Sequence, residues 1–317
     1  MANDSLETRR VLFLGPPGML ELVERELAGM DVAFALDPDE VDRVLPGCDA
    51  VLDAYMKVPF TAERLADAER LTVVVTATTG SDHIDTDFAA GRGIPVLTLK
   101  GQTELLGRLT PAAEHSWLLL MACARSLVGA AHHVTSGGWD RNLFPGTMLS
   151  GTTLGLVGCG RIGGMMSRYA RAFGMRCIGY DPHVASFPDS IERAALDTVM
   201  AEADFVSVHV HLTSETTGLV GRSELGRMKA GAVLINTSRG AVVDETALLG
   251  ALDSGRLGAA GLDVLTAEPE TAADPLVEYA RGHDNLLITP HIGGFSPGAL
   301  ATVLQFSCGR VRDALGT

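Results

Sequence analysis

The sequence predicts an α/β protein built from two doubly wound parallel sheets. Short apolar runs alternate with helical stretches almost from end to end, and this alternation is typical of βαβ units in a parallel sheet. It forms two series separated by a break at Thr110-Pro111, which supplies an N-cap and a first-turn proline for a long apolar helix ending near Arg125. The length of 317 residues agrees with two domains of roughly 150 residues each.

The first series predicts five strands, with amphipathic helices such as Met19–Ala28 and Thr61–Ala68 between them. These strands are Val11–Gly15, Val32–Leu36, Ala50–Ala54, Leu71–Ala77 and Ile94–Leu99. The second series predicts six strands, the number expected of a dinucleotide-binding sheet. They are Thr153–Val157, Arg176–Tyr180, Phe205–Leu212, Ala232–Asn236, Ala259–Val264 and Leu286–Thr289. A helix over Asp244–Ser254 has Asp244 as its N-cap and Gly255 after its end, and the final helix, Pro297–Leu315, is expected to cross back to the first domain.

The composition indicates a folded, acidic protein of the cytoplasm. Lys and Arg number 25 and Asp and Glu number 39, so the net charge is −14 and nucleic acid and membrane surfaces are poor partners. The apolar stretch Ser116–Ala124 is far shorter than the roughly 20 residues that span a bilayer, and Met1–Arg10 lacks the apolar segment of a secretory leader. The cysteines lack metal-binding or disulfide spacing, which predicts reduced thiols and no metal site. They are Cys48, Cys123, Cys159, Cys177 and Cys308.

The strongest local motif is the glycine-rich turn Gly158-Cys159-Gly160-Arg161-Ile162-Gly163, which directly follows the predicted strand Thr153–Val157 and opens a helix. The first glycine permits a tight turn, the second lets the backbone approach a pyrophosphate, and the third lets the helix pack closely on the strand. Asp181 ends the next strand, 18 residues beyond Gly163, where a carboxylate would accept both ribose hydroxyls and repel a 2′-phosphate. The motif therefore predicts NAD in preference to NADP, the alternative being a tight turn without a ligand.

Three further segments carry polar side chains near the carboxyl ends of predicted strands, the edge of a parallel sheet where ligands bind. They are Asn236-Thr237-Ser238-Arg239-Gly240, Gly261-Leu262-Asp263-Val264 followed by Glu268-Pro269, and Thr289-Pro290-His291-Ile292-Gly293-Gly294. The imidazole of His291 suits proton transfer to or from an alcohol oxygen, a carboxylate such as Glu268 would fix its tautomer, and Arg239 suits a substrate carboxylate. Taken singly, each also has a plain structural interpretation: a packed histidine, a loop carboxylate and a surface ion pair.

Together these motifs resemble the D-isomer-specific 2-hydroxyacid dehydrogenases over nearly the whole chain. The segments from Leu154–Gly158 to His291–Gly294 follow in the order of that family, and the string INTSRGAVVDETALLGALDSGRLGAAGLDV is similar to its central signature. The resemblance implies a flavodoxin-like substrate domain, a Rossmann NAD-binding domain, and a catalytic set of Arg239, Glu268 and His291. It also implies that Asp263 contacts the nicotinamide carboxamide and that the cofactor runs along Arg161, Ile162, Asp181, Thr213 and Thr237.

The same resemblance implies how the chain is divided. Residues 1–108 and 290–317 form a discontinuous substrate-binding domain, and residues 109–289 form the NAD-binding domain with a dimerisation arm. In the first domain, the backbone of Thr79, Gly80 and Ser81 receives the substrate carboxylate, although this segment is also a turn into a helix capped by Asp85. The chain is expected to be a short form without a C-terminal regulatory domain.

The arm follows the helix that begins at Pro111 and covers the irregular segment Thr135–Ser150. It predicts a homodimer, in which Trp139 either packs in the interface or reaches a neighbouring active site. His115, His132 and His133 have helical neighbours without ligand spacing and are expected to be structural.

Two segments depart from the family pattern. Asp53 lies near the place where phosphoglycerate dehydrogenases tend to carry an arginine, and its charge is expected to repel a substrate phosphate, which argues against 3-phosphoglycerate. Lys100–Thr110 is longer than the usual loop and brings Lys100, Glu104 and Arg108 either to a phosphate site or to a solvated surface.

The function expected from the sequence is that of an NAD-dependent oxidoreductase acting on the CH–OH group of a small D-2-hydroxy acid, which the sequence does not identify. Two alternatives stay open. One is an NAD(H)-sensing binding protein of the same fold, and the other is a formate- or phosphite-type dehydrogenase.

Overall fold

The computed structural model describes residues 8–317, so most of the predicted polar, leader-free segment Met1–Arg10 lies outside the described residues. The strands are β1 (Arg10–Leu14), β2 (Asp31–Ala35), β3 (Ala50–Asp53), β4 (Val73–Thr76), β5 (Val96–Leu97), β6 (Thr153–Val157), β7 (Arg176–Tyr180), β8 (Glu192–Arg193), β9 (Phe205–Val208), β10 (Ala232–Asn236), β11 (Leu257–Leu262) and β12 (Leu286–Ile288). The α-helices are α1 (Leu20–Glu26), α2 (Pro38–Val44), α3 (Ala62–Asp67), α4 (Thr86–Gly91), α5 (Thr103–Gly107), α6 (Pro111–Ala124), α7 (Leu127–Thr135), α8 (Arg161–Ala172), α9 (Leu196–Glu202), α10 (Arg222–Arg227), α11 (Glu245–Asp253), α12 (Pro275–Ala280) and α13 (Pro297–Leu315).

The described chain divides into two compact units. The first contains the residues up to Arg108 together with Ser296–Thr317, and the second contains Leu109–Phe295. His291 therefore belongs to the second unit, whereas the sequence-based boundary at residue 290 places it in the first domain.

The first unit is built on a five-stranded parallel sheet in the order β2-β1-β3-β4-β5, which is the flavodoxin-like order predicted for this part of the chain. Leu12, Val51 and Val74 come from three adjacent strands and are fully buried in one core cluster. The C-terminal helix α13 packs against α1, β3 and β4 of this unit. Its bounds coincide with the predicted ones because a proline at its first turn and a left-handed glycine, Gly316, delimit its apolar face.

The second unit is built on a seven-stranded parallel sheet in the order β12-β11-β10-β9-β6-β7-β8. The direction in which successive strands are added reverses beside β6, between β7 and β9, as in a Rossmann fold. Side chains alternate along β6, so that Leu156 is buried in a cluster on one face and Val157 in a cluster on the other. The predicted fold class is thus confirmed for both units.

The sequence-based count of six strands in the second sheet is wrong by one. The extra strand, β8, has only two residues, Glu192 and Arg193, and both are exposed at the sheet edge. Such a strand has no apolar alternation to reveal it. The predicted strand Phe205–Leu212 is also too long, because only Phe205–Val208 pairs with β6 and β10.

The helix termini were predicted with mixed success. Asp244 caps α11 by accepting a hydrogen bond of 2.9 Å from the amide of Ala247, and Gly255 follows with a φ of +69°, as predicted. Thr110, in contrast, has helical backbone angles and its side chain makes no capping hydrogen bond. The predicted capping role of its hydroxyl is therefore wrong, although Pro111 does occupy the first turn of α6.

The segment that follows α6 contains a further helix, α7, and a single 3₁₀ turn at Arg141–Leu143 within the predicted irregular arm. Among the described helices, no single one is long and apolar enough to cross a membrane. Two helical segments joined by a sharp bend, Thr103–Ala124 and Leu127–Thr135, are together long and apolar enough to do so, by length and composition only.

Candidate active site

The glycine-rich turn packs tightly against the chain at the end of β9. Gly158 has a φ of +96°, and a Cβ there would collide with the carbonyl group of His209, just beyond β9. A Cβ on Gly163 would collide with the carbonyl oxygen of Gly158, so α8 approaches the turn as closely as backbone allows. Around Gly160 there is open space, which leaves the N-terminus of α8 accessible. This turn therefore forms a cradle that fits a pyrophosphate at a helix N-terminus.

Asp181 lies beside this cradle at the carboxyl end of β7. One carboxylate oxygen accepts a hydrogen bond of 2.9 Å from the amide of Cys159, and the other accepts from the amides of His183 and Val184. These contacts fix the carboxylate at the glycine-rich turn, where it fits the ribose of an NAD molecule. The thiol of Cys159 is buried in the same turn, and this burial raises its pKa to about 12.

The loop that carries Arg239 begins at the carboxyl end of β10 and is organised by Asn236. The amide oxygen of Asn236 accepts hydrogen bonds from the backbone and hydroxyl of Ser238, and its amide nitrogen donates to the carbonyl of Arg239 at 2.9 Å. The hydroxyl of Thr237 is 2.7 Å from that of Ser116 on α6. Gly240 is required after Arg239, because a Cβ there would collide with the backbone of Leu265 and Thr266.

His291 and Glu268 are brought together from the loops after β12 and β11. The Nδ1 atom of His291 lies 3.0 Å from Oε1 of Glu268, and both side chains are partly exposed. A carboxylate that holds Nδ1 leaves Nε2 of the ring to exchange a proton with a ligand. The backbone of His291 has a φ of +54°, a left-handed conformation that is uncommon for a residue other than glycine.

Asp263 is 1% exposed and its carboxylate faces the loop that carries His291. One oxygen accepts from the hydroxyl of Thr289 at 2.6 Å and from the amide of Ile292 at 2.9 Å, and the other accepts from the amide of Gly293 at 2.7 Å. The carboxylate thus joins the ends of β11 and β12. The contact between Asp263 and the nicotinamide carboxamide that the family resemblance implies stays a prediction.

The remaining predicted positions are divided between the two units. Arg161 and Ile162 open α8 in the second unit, where a guanidinium nitrogen of Arg161 donates to the carbonyl of Leu109 at 2.6 Å. Thr213 lies in an exposed turn beyond β9 and accepts a hydrogen bond of 3.2 Å from the amide of Glu215. The predicted carboxylate-binding residues Thr79, Gly80 and Ser81 follow β4 in the first unit.

Near that segment, Asp53 lies at the end of β3. Its carboxylate is 1% exposed, accepts a hydrogen bond of 2.7 Å from Nε2 of His83, and also accepts from the amides of Tyr55 and Met56. Asp53 is therefore turned into the first unit and paired there, and the expected repulsion of a substrate phosphate by its charge stays a prediction. The predicted helix cap at Asp85 is present, with a hydrogen bond of 2.9 Å from the amide of Phe88.

The long segment after β5 is partly helical. Within α5 and its end, Glu104 and Arg108 form an exposed ion pair of 2.6 Å one helical turn apart. This pairing favours the interpretation of Lys100–Thr110 as a solvated surface.

Two residues on α6 were missed as parts of this network. His115 was expected to be only structural, yet its Nε2 lies 2.9 Å from the hydroxyl of Thr289 and 3.2 Å from the carboxylate of Asp263. The next residue, Ser116, contacts Thr237. The available signal was a run of three consecutive polar residues, Glu114, His115 and Ser116, within an otherwise apolar helix.

Known proteins resemble both units of the chain. Residues 117–293 match the model of the D-isomer specific 2-hydroxyacid dehydrogenase NAD binding domain, and residues 11–105 match the catalytic domain of the same family. The D-3-phosphoglycerate dehydrogenase of Mycobacterium tuberculosis is 38% identical over 260 residues, which cover 81% of this chain and 47% of that protein. The chain thus spans about half the length of that relative.

Two further relatives match over most of their own length. The glyoxylate reductase of Korarchaeum cryptofilum is 39% identical over 293 residues, 87% of this chain and 85% of that protein. A crystal structure of D-lactate dehydrogenase from Aquifex aeolicus, complexed with NAD and lactic acid, has a TM-score of 0.85 at 28% identity and covers 96% of this chain and 95% of that one. The family models span both units in the order in which the motifs occur, and the chain belongs to the D-isomer specific 2-hydroxyacid dehydrogenase family.

Proposed function

We propose that this protein is an NAD-dependent oxidoreductase that interconverts a small D-2-hydroxy acid and its 2-oxo acid. The observation that carries this proposal is the contact of 3.0 Å between His291 and Glu268. This pair lies at the same carboxyl edge of the seven-stranded sheet as the loop of Arg239 and the glycine-rich turn. A proton donor, a cation for a carboxylate and a dinucleotide cradle are the groups that reduction of a 2-oxo acid requires.

The substrate class follows from the relatives and from the groups at this edge. Two of the three named relatives are a glyoxylate reductase and a D-lactate dehydrogenase complexed with lactic acid, and both acids are small and carry an oxygen on the carbon beside the carboxylate. The third is a D-3-phosphoglycerate dehydrogenase. A guanidinium binds such a carboxylate in a bidentate manner, which assigns the substrate carboxylate to Arg239. In the first unit, the backbone of Thr79, Gly80 and Ser81 is proposed as a substrate-binding segment, as the family resemblance implies.

The transfer of the proton to and from the substrate oxygen is assigned to His291. The cofactor, when bound, supplies the hydride that reaches the carbonyl carbon. Nε2 of the imidazolium donates its proton to the carbonyl oxygen during reduction, and it accepts the hydroxyl proton in the opposite direction. Glu268 holds the ring through Nδ1, which leaves Nε2 for the substrate. Arg239 fixes the acid so that its carbonyl oxygen meets His291.

The cofactor preference is assigned to Asp181. Its carboxylate is held at the glycine-rich turn by three backbone amides, and a 2′-phosphate on the ribose would meet this charge at close range. The second unit is accordingly proposed as the NAD-binding domain, in which Thr213 and Thr237 also line the cofactor. The first unit is proposed as the substrate-binding domain.

The assembly proposed is a homodimer in the cytoplasm. Large apolar side chains are exposed on α6, α7 and the arm, among them Trp139, which is 90% exposed. The others between residues 118 and 148 are Leu118, Leu127, Val128, Val134, Leu143 and Met148. A concentration of exposed apolar residues is typical of an interface, and a second copy of this chain is the partner that the family resemblance implies.

The experiment that tests the function is the oxidation of NADH with glyoxylate, hydroxypyruvate and pyruvate, and the reduction of NAD with formate and phosphite as controls. We expect turnover with at least one 2-oxo acid and none with formate or phosphite. Tight NADH binding without turnover of any acid would contradict the proposed enzymatic activity and support the alternative of an NAD(H)-sensing protein. Turnover of formate or phosphite alone would contradict the substrate class.

A further inference from the structure

We propose that His115 is a positioning residue for the loop that carries His291, and that it acts through Thr289 and Asp263. This inference rests on the proposed function, because it concerns the proton donor of that reaction. All four residues belong to the second unit, although His115 and Thr289 are 174 positions apart in the sequence.

The first step is the hydrogen bonding of the His115 ring. The hydroxyl of Thr289 donates to Asp263 at 2.6 Å, so its oxygen accepts from Nε2 of His115 at 2.9 Å. The carboxylate of Asp263, at 3.2 Å, can only accept. Nε2 therefore carries a proton and points between these two acceptors. The His115 side chain is 12% exposed, and a hydrogen bond to a carboxylate is strong where water is largely excluded.

The second step links Asp263 to the backbone around His291. The carboxylate accepts from the amides of Ile292 and Gly293, and the carbonyl oxygen of Asp263 accepts from the amide of His291 at 2.9 Å. Three successive peptide groups are thus bound to one residue. The left-handed φ of His291, +54°, persists only if its surroundings hold it, and these bonds contribute to that, together with a bond of 3.0 Å from the same amide to the carbonyl of Thr289.

A third observation places Gly293 of the loop close to both Asp263 and His115. A Cβ on Gly293 would lie too close to the carboxylate of Asp263, at 2.8 Å, and in ordinary contact with Cδ2 of His115, at 3.6 Å, so glycine allows the loop to approach Asp263. The neighbouring Ser116 meanwhile contacts Thr237 in the loop that leads to Arg239. Consecutive residues of α6 thus support the two loops that carry the proposed proton donor and the proposed carboxylate-binding residue.

The hydrogen-bonding chemistry of His115 predicts the order of the kcat values of three variants. Gln places an N–H donor near the position of Nε2, Asn places its donor nearer that of Nδ1, and Leu has none. We expect His115→Leu and His115→Asn to lower kcat by about 10- to 100-fold, because misplacement of a reacting group by about 1 Å costs on that order. His115→Gln should stay within about 3-fold of the wild type, and the Kd for NADH should change little in all three.

Two measurements separate positioning from a general loss of structure. In a double-mutant cycle, His115→Leu should cause no further loss of activity in a His291→Ala background, because it acts only through His291. In hydrogen–deuterium exchange, the peptide that covers residues 289–294 should exchange faster in the Leu variant than in the wild type, while the sheet strands stay protected. The matched control is His283→Leu, at an exposed histidine stacked on Tyr279. It should change neither kcat nor the exchange rate of the peptide 289–294.

Additive losses in the cycle, or unchanged exchange of the peptide, would overturn the inference. If the Leu variant does not fold, the Gln and Asn variants decide, and equal kcat values for these two would overturn it. If the wild type turns over no 2-oxo acid, the proposed function fails, but the exchange rates of the Gln and Asn variants still decide the role of His115. The two failures are therefore distinguishable.

Discussion

Nδ1 of His291 lies 3.0 Å from Oε1 of Glu268, although 23 positions separate the two residues in the sequence. The contact orients the imidazole so that its Nε2 is the nitrogen left for a substrate, and it places a negative charge beside the ring. A pair of this kind converts a histidine into a proton donor whose tautomer and direction are set before the ligand arrives.

Replacing His291 should affect the chemical step far more than binding. We expect His291→Ala to lower kcat by about 10²- to 10⁴-fold, which is the usual contribution of a general acid, while the Kd for NADH stays near that of the wild type. Steady-state kinetics and a fluorescence titration with NADH measure the two quantities. An unchanged kcat would show that another group supplies the proton. Arg239→Ala serves as the contrasting variant, because it should mainly raise KM.

Asp181 should determine the choice between NADH and NADPH. The wild type is expected to prefer NADH, and Asp181→Ala should narrow the preference without abolishing turnover, because it removes the charge that repels the 2′-phosphate. The comparison needs kcat/KM for both cofactors in both proteins. Equal values for the two cofactors in the wild type would mean that Asp181 does not face the ribose.

Asp53 should contribute to the stability of the first unit. Its buried carboxylate accepts from His83 and from two backbone amides, and Asp53→Ala would leave all three donors without that acceptor. Loss of one member of a buried pair typically costs about 3–5 kcal/mol, so the free energy of unfolding should fall by about that amount. Asp53→Asn retains an acceptor oxygen and should lose less. Denaturant titration measures the free energy of unfolding of each protein. Equal values for the Ala variant and the wild type would contradict a structural role of Asp53.

The exposed apolar residues of the arm should be covered by a second copy in solution. Light scattering at micromolar concentration should give about twice the chain mass of 33.3 kDa. Trp139→Glu should shift the protein toward the monomer, because it places a charge in an apolar contact. A wild-type mass equal to that of one chain would refute the homodimer.

The features that could be predicted from the sequence are those whose signal lies in neighbouring residues. The bounds of β6, β7 and β10 were predicted exactly, because each is an apolar run delimited by turn residues. The glycine-rich turn and Asp181 also carry their signal in local spacing. The edge strand β8 and the capping of α6 were not predictable, since an exposed dipeptide and a helical threonine leave no such pattern.

The parts of the site that were missed depend on contacts between distant segments. His115 meets Thr289 across 174 positions, and His83 meets Asp53 across 30, so neither partner can be identified from its neighbours in the sequence. The sequence identifies Asp53 as a carboxylate residue at the end of a strand, but the direction of its side chain is set by folding. Fold class and motif chemistry were therefore accessible from sequence, whereas the supporting hydrogen bonds required the structure.

The most direct test of the account is the kcat for reduction of an accepted 2-oxo acid, measured for Glu268→Ala in the wild-type background and in the His291→Ala background. Without the carboxylate the ring of His291 loses the contact of 3.0 Å at Nδ1 that holds it, so Glu268→Ala alone should lower kcat by about 10- to 100-fold. The predicted result is that this loss disappears when His291 has already been replaced, because Glu268 acts through that ring. Losses of equal size in both backgrounds would contradict the account, because Glu268 would then act independently of His291.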